Sequence, residues 1–119
     1  MPETAFTYLA SPYTHPDPAV REARYWFACE AAAKLMLAGR VVFCPIAHSH
    51  PISERMPDGC AIDADLWKKQ DAPYVALCSD MVVLMLDGWK ESKGVTHELA
   101  VASTRGIPIE FMEPWPTRD

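Results

Sequence analysis

The sequence has no basic cluster, and its net charge of −5 argues against a nucleic-acid backbone as the main partner. No apolar run approaches the length needed to span a bilayer, so no membrane partner is expected. The opening MPETAF lacks the basic and apolar regions of a signal peptide. A cytoplasmic location is therefore expected, with the four cysteines (Cys29, Cys44, Cys60, Cys78) as reduced thiols. No dinucleotide glycine fingerprint follows the first candidate strand, where SPYTHP stands instead, and no phosphate-loop motif occurs. Nicotinamide and ATP chemistry thus find no support. A G-x-S-x-G elbow is also missing, which removes the serine-hydrolase reading. No internal repeat or low-complexity segment is present.

What remains is ordinary globular material. The chain has 119 residues, half apolar and 23% charged, which fits one domain over 1–119 with a modest core. Of the eleven prolines, all but Pro2 and Pro73 gather at 12–18, 45–57 and 108–116, so the regular elements are expected between those stretches. Residues 6–10 (FTYLA) predict a first strand. Asp17-Pro18 then predicts a helix start, a capping carboxylate followed by proline at the first helical position. Val20, Ala23, Phe27, Ala31, Leu35 and Ala38 recur at helical spacing as the expected core stripe, and Gly39 ends the helix. Residues 41–44 predict a second, parallel strand. Residues 45–61 predict a long loop carrying His48 and His50. Asp63 or Asp65 caps the next helix, to about residue 78.

The chain turns on residues 80–98. Residues 81–86 form a short apolar run, as a central strand buried on both faces requires. A turn at Asp87-Gly88 follows, then a helix capped by Ser92 and running to Arg105, with Gly106 beyond it. Residues 107–111 predict a last strand, and 112–119 a tail. The alternation gives an α/β fold: a three-layer, open, mostly parallel sheet of four to five strands with helices on both faces, flavodoxin- or Rossmann-like. Ligands in such sheets sit at the carboxyl ends of the strands.

Several residues there have two readings. Glu98 lies in or beside the stripe Val95, Leu99, Ala102; it is either an edge residue reaching water or a carboxyl in a pocket with a raised pKa. Trp67, Asp71 and Val75 lie one helical turn apart, so Asp71 is either a solvated edge residue or part of the same pocket. Trp89 can stack on an aromatic ligand or pack its loop down. Ser92 can be a cap alone or a cap that also meets an anion. Cys44, His48, His50 and Cys60 match no standard zinc spacing and include no C-x-x-C pair, so no metal site is expected. His48 and His50 are read as loop residues near the pocket or as plain surface.

Three segments carry a resemblance: YLASPY at 8–13, W-x3-D at 67–71 and CSDMVVLMLDGWKESKGVTHELAVA at 78–102. Together they resemble the nucleoside 2-deoxyribosyltransferase superfamily, most closely a small branch known only as a domain of unknown function. The resemblance implies Glu98 as a nucleophile toward the anomeric carbon of a sugar, Tyr8 as the group orienting it, and Asp71 as assistant at the base. It implies substrate contacts from Ser11, Tyr13, Asp87, Gly88, Trp89, Ser92 and Gly94. Where transferases of free deoxynucleosides carry an acidic residue six before the nucleophile, this chain has Ser92, as hydrolases of nucleoside 5′-monophosphates do. A serine and the amides of a helix N-terminus welcome a phosphate that a carboxylate would repel. The SPYTHP loop departs from that of the monophosphate hydrolases and holds no arginine, although Arg21 and Arg24 follow it. The implied activity is N-glycosidic cleavage of a small-molecule nucleoside or nucleotide, without cofactor or metal, in a dimer or tetramer. The alternatives are a non-catalytic nucleotide-sensing module on the same fold and a zinc-dependent loop protein.

Overall fold

In the computed structural model, residues 5–114 are described. The N-terminal tetrapeptide and residues 115–119, on which the expectations about a signal peptide and a C-terminal tail partly rest, lie outside them. Four parallel strands, β1 (Thr7–Ala10), β2 (Val42–Phe43), β3 (Asp80–Leu84) and β4 (Ile109–Met112), stand in the order β2-β1-β3-β4. Four helices accompany them: α1 (Pro18–Leu37), α2 (Pro45–Ser53), α3 (Ala64–Leu77) and α4 (Lys93–Thr104). Among the described residues no helix is long and apolar enough to cross a membrane.

The two central strands explain the layering. Side chains alternate across a strand. Leu9, Val82 and Leu84 point to one face and pack on Ala28, Ala31, Ala32 and Leu35 of α1. Tyr8, Ala10, Met81 and Val83 point to the other and pack on Val75 of α3 and Val95 and Ala102 of α4. The three-layer α/β architecture expected from the sequence is therefore the one observed, with four strands. The register places Tyr8 beside Met81 and Ala10 beside Val83, so β1 and β3 end together.

Two expectations are corrected. Residues 45–61 do not form a loop: α2 occupies Pro45–Ser53 and a 3-10 turn covers Cys60–Ile62. Pro45 sits at the first helical turn, where its missing N–H costs nothing. Pro51 lies inside the helix and does forfeit a bond, which packing of the buried His50 and Ile46 offsets. The second correction concerns α1. Ala23 and Phe27, expected in the core, face outward, whereas Ala28 and Ala32 join Ala31 and Leu35 against the sheet. Trp26 and Leu37 are exposed as well. This helix is apolar over most of its circumference, so more than one stripe satisfies a 3.6-residue period and only tertiary packing chooses between them.

The amino ends of the strands are clamped. Arg40 pairs with Asp80 at 3.0 Å and Glu110 at 3.1 Å, while the Thr7 hydroxyl donates to Asp80 at 2.7 Å. Among the described residues no ion pair ties the strands at their opposite, carboxyl ends. Leu84 is 1% exposed in β3 and Leu37 is 89% exposed on α1. Leu84→Ala should cost about 2–5 kcal/mol in urea unfolding. Leu37→Ala should stay within about 0.5 kcal/mol.

Candidate active site

At the carboxyl ends of β1 and β3 lies a cleft of about 900 Å³. Ser11 and Tyr13 reach it from the segment after β1, Ile46 from α2, Trp67 and Asp71 from α3, and Ser92, Gly94 and Glu98 from α4 and its cap. The opening lies where β1 stops at Ala10 and β3 at Leu84. The caps then fix the helices around it. Asp63, and not Asp65, caps α3 by accepting from Asp65 N and Leu66 N. Ser92 caps α4 by accepting from Val95 N at 3.1 Å.

Glu98 is the chemical centre. It is buried on α4 between Val95 and Ala102, lines the cleft, and among the described residues forms no ion pair. Its Oε2 accepts a 2.5 Å hydrogen bond from the hydroxyl of Tyr8. Tyr8 is 0% exposed and stands behind Glu98 without lining the cleft, so it meets the cleft through Glu98. Burial pushes the Glu98 carboxyl up to about 8; the Tyr8 bond opposes that rise and the charge of Asp71 adds to it. Asp71 is pushed up to about 6 by burial, again opposed by the Tyr8 hydroxyl. The Tyr8 phenol is itself held far above its ordinary value, by burial first and then by the charge of Glu98, and so remains a donor. One phenol therefore stands between two carboxyls of raised pKa at the edge of a cavity.

The other sequence-derived candidates divide. Ser11 is 8% exposed and lines the cleft, and its Oγ is buried with no hydrogen-bond partner among the described residues. A buried hydroxyl in that state costs roughly 1–3 kcal/mol unless something from the cleft pairs with it. Tyr13 lines the cleft, with its hydroxyl turned to His50 Nδ1 at 2.6 Å. Gly88 lines it too; its φ of +88° favours glycine, and a Cβ there would stand 2.9 Å from the movable Arg24 Nη2. Asp87 and Trp89 do not line the cleft. Asp87 is exposed, and Trp89 packs on Phe111 with ring centroids 5.6 Å apart, which assigns it the loop-packing role of its two readings. His48 is exposed against the Phe43 ring, and Cys44, His48, His50 and Cys60 do not gather among the described residues.

Arg24 escaped the sequence reading as a site residue. Its guanidinium donates to the carbonyl oxygens of Thr14 at 3.1 Å and Asp87 at 3.2 Å, joining the loops after β1 and β3, and it lines the cleft. Its nearness in sequence to the SPYTHP loop was the available signal. Trp67, held by its Nε1 donating to Ala61 O at 3.0 Å, forms a flat wall whose signal was its place one turn before Asp71. His97 and Lys93 also line the cleft, and no sequence pattern marked them.

Residues 5–114 match the family model described as Domain of unknown function (DUF1937). The chain belongs to that family. No curated protein matches it in sequence.

Raised carboxyl pKa values have a sign in stability. Below about pH 4.5 Glu98 is protonated folded and unfolded, and folding is not penalised. Between there and about pH 8 the unfolded chain releases the proton while the folded chain keeps it, so stability falls as pH rises. Asp71 adds to that fall between 3.8 and about 6. Urea midpoints of Glu98→Gln should therefore decline less between pH 5 and pH 8 than those of the wild type. Parallel curves would mean that Glu98 has an ordinary pKa.

Proposed function

We propose that this DUF1937 protein cleaves the N-glycosidic bond of a nucleoside 5′-monophosphate, with Glu98 as nucleophile. The observation that carries the proposal is the Tyr8–Glu98 pair at the cleft: a buried carboxyl without a basic partner, held by one hydrogen bond and facing a cavity of ligand size. The resemblance to the nucleoside 2-deoxyribosyltransferase superfamily supplies the reaction. In its ionised form Glu98 attacks C1′ of the sugar. The glycosidic bond breaks, and the base leaves with the bonding electrons and takes up a proton, which Asp71 donates in the minority state that carries the proton on Asp71 and leaves Glu98 ionised. The glycosyl ester is then hydrolysed, its sugar passing to water, or passes to a second base. Tyr8 donates to the carboxylate before attack and orients it. Expulsion by protonation asks for no cofactor.

The 5′-phosphate assignment rests on the start of α4. Ser92, Lys93 and Gly94 line the cleft where the helix presents unpaired amides. Gly94 costs the helix about 1 kcal/mol relative to alanine. Nothing in the packing requires it, since an added Cβ would meet only Ser92 Oγ at 3.8 Å. A bare first turn suits a ligand that approaches the backbone. Arg24 adds a positive charge on the same cleft, and the unpartnered Ser11 hydroxyl adds a donor.

One observation favours a second reading. A carboxyl raised to about 8 is mostly protonated at neutral pH and then donates a hydrogen bond instead of attacking. A sensing module that binds a nucleotide without cleaving it would use Glu98 that way.

Incubation with a panel of nucleosides and their 5′-monophosphates, followed by chromatography for free base, separates the readings. Base should appear from at least one monophosphate faster than from its nucleoside, and Glu98→Ala should lower that rate on the order of 10³-fold or more. Saturable nucleotide binding without base release would favour the sensor. Turnover unaltered in Glu98→Ala would remove the nucleophile assignment.

A further inference from the structure

A second cluster of ligating groups lies behind Tyr13, apart from Glu98. We propose that Glu22, His50 and Glu54 form a zinc site joining α1 to the end of α2. His50 Nε2 stands 3.0 Å from Glu22 Oε1 and 3.5 Å from Glu54 Oε2, and the three ligating atoms lie within 4.8 Å of one another. Ligand bonds of about 2.0–2.1 Å in a tetrahedron put neighbouring donor atoms about 3.3 Å apart, and the two measured separations bracket that value.

The hydrogen bonds behind the ring bear on what Nε2 offers. The Ser53 hydroxyl donates to the carbonyl of His50 at 2.7 Å. Its oxygen also lies 3.3 Å from the Tyr13 hydroxyl, within reach of that proton. Tyr13 oxygen stands 2.6 Å from His50 Nδ1 and can accept from it when Nδ1 carries the proton. With the proton on Nδ1 and donated to Tyr13, Nε2 presents its lone pair between two carboxylates, as a metal ligand requires. In the other tautomer Nε2–H donates to Glu22 at 3.0 Å, and binding of zinc displaces that proton. Ring orientation is locked as well: Tyr25 stacks on the imidazole at 4.2 Å and Tyr13 meets it edge-on at 5.6 Å.

One imidazole and two carboxylates, with a hydrogen-bond acceptor at the opposite ring nitrogen, match a zinc ligand set with its supporting shell. His50 is 94% buried by its 6% exposure, while Glu22 and Glu54 are more than half exposed, so the metal would enter from solvent and keep water at its fourth position. The site differs from the Cys44, His48, His50, Cys60 set considered from sequence in that only His50 is shared. It does not depend on the glycosidase reading.

The test uses the full chain, dialysed against chelator and then titrated with zinc chloride by calorimetry, with metal analysis after gel filtration. One equivalent of zinc is expected. Glu22→Gln and Glu54→Gln, both at exposed positions, should each weaken binding at least about tenfold, and Tyr13→Phe about 10–100-fold through loss of the Nδ1 acceptor. No zinc uptake by the wild type would mean that a proton fills the gap and would overturn the proposal. Uptake undiminished in both glutamine variants would overturn it equally, by placing the metal elsewhere.

Discussion

A single hydrogen bond, from a phenol inside the sheet to a carboxyl on the helix that covers it, sets the terms for the rest of the molecule. Tyr8 points from β1 toward α4 because of strand alternation, and Glu98 points back because it shares a helical face with Val95 and Ala102. Both groups lose water on folding. The phenol can donate a hydrogen bond while staying neutral, so the pair survives burial where two ions would need solvent or a counter-charge. The cost falls on the carboxyl, whose pKa rises, and is the kind of local expense seen at functional sites.

The remainder of the fold distributes stability around that point. The amino ends of the strands are tied by Arg40, Asp80, Glu110 and Thr7, and the two central strands bury nearly all their side chains. At the carboxyl ends, chain connections diverge and the polar groups face a cavity. Arg24 crosses between the two loops there, so the cleft wall is held by a guanidinium on two carbonyls and not by an apolar seam. Such a wall can accept a polar ligand without exposing a core. Tyr13 connects it to the His50 cluster on the far side, which makes α2 part of the site's support.

Much of this was legible in the sequence, for physical reasons that differ by element. Asp17-Pro18 and Ser92 are strong local cap signals, and both helices begin there. The apolar run after Asp80 could only be a buried strand in so short a chain. Glu98 stood out because a charged residue broke an apolar period. The failures were equally physical. In α2, prolines at both ends of PIAHSHP advertise a loop, and only the tertiary anchoring of His50 makes a helix affordable. Phe27 and Ala23 fit the period of α1 as well as Ala28 and Ala32 do, and which stripe wins depends on the sheet. Trp89 and Asp87 follow the central strand closely, but the 3-10 turn at Trp89–Glu91 swings the indole toward Phe111. Arg24 reaches the cleft across ten residues of chain, a distance over which sequence carries no pairing signal.

The central claim is that the Glu98 carboxyl is buried, bound by Tyr8 and held protonated well above the ordinary range. A carbon-13 NMR titration of glutamate side-chain carboxyls, with the Glu98 resonance identified by its loss in Glu98→Gln, measures this directly. The account requires a midpoint displaced upward toward 8, moving higher still in Tyr8→Phe as the opposing hydrogen bond is removed. A midpoint near 4.5 in the wild type, unmoved by Tyr8→Phe, would contradict it.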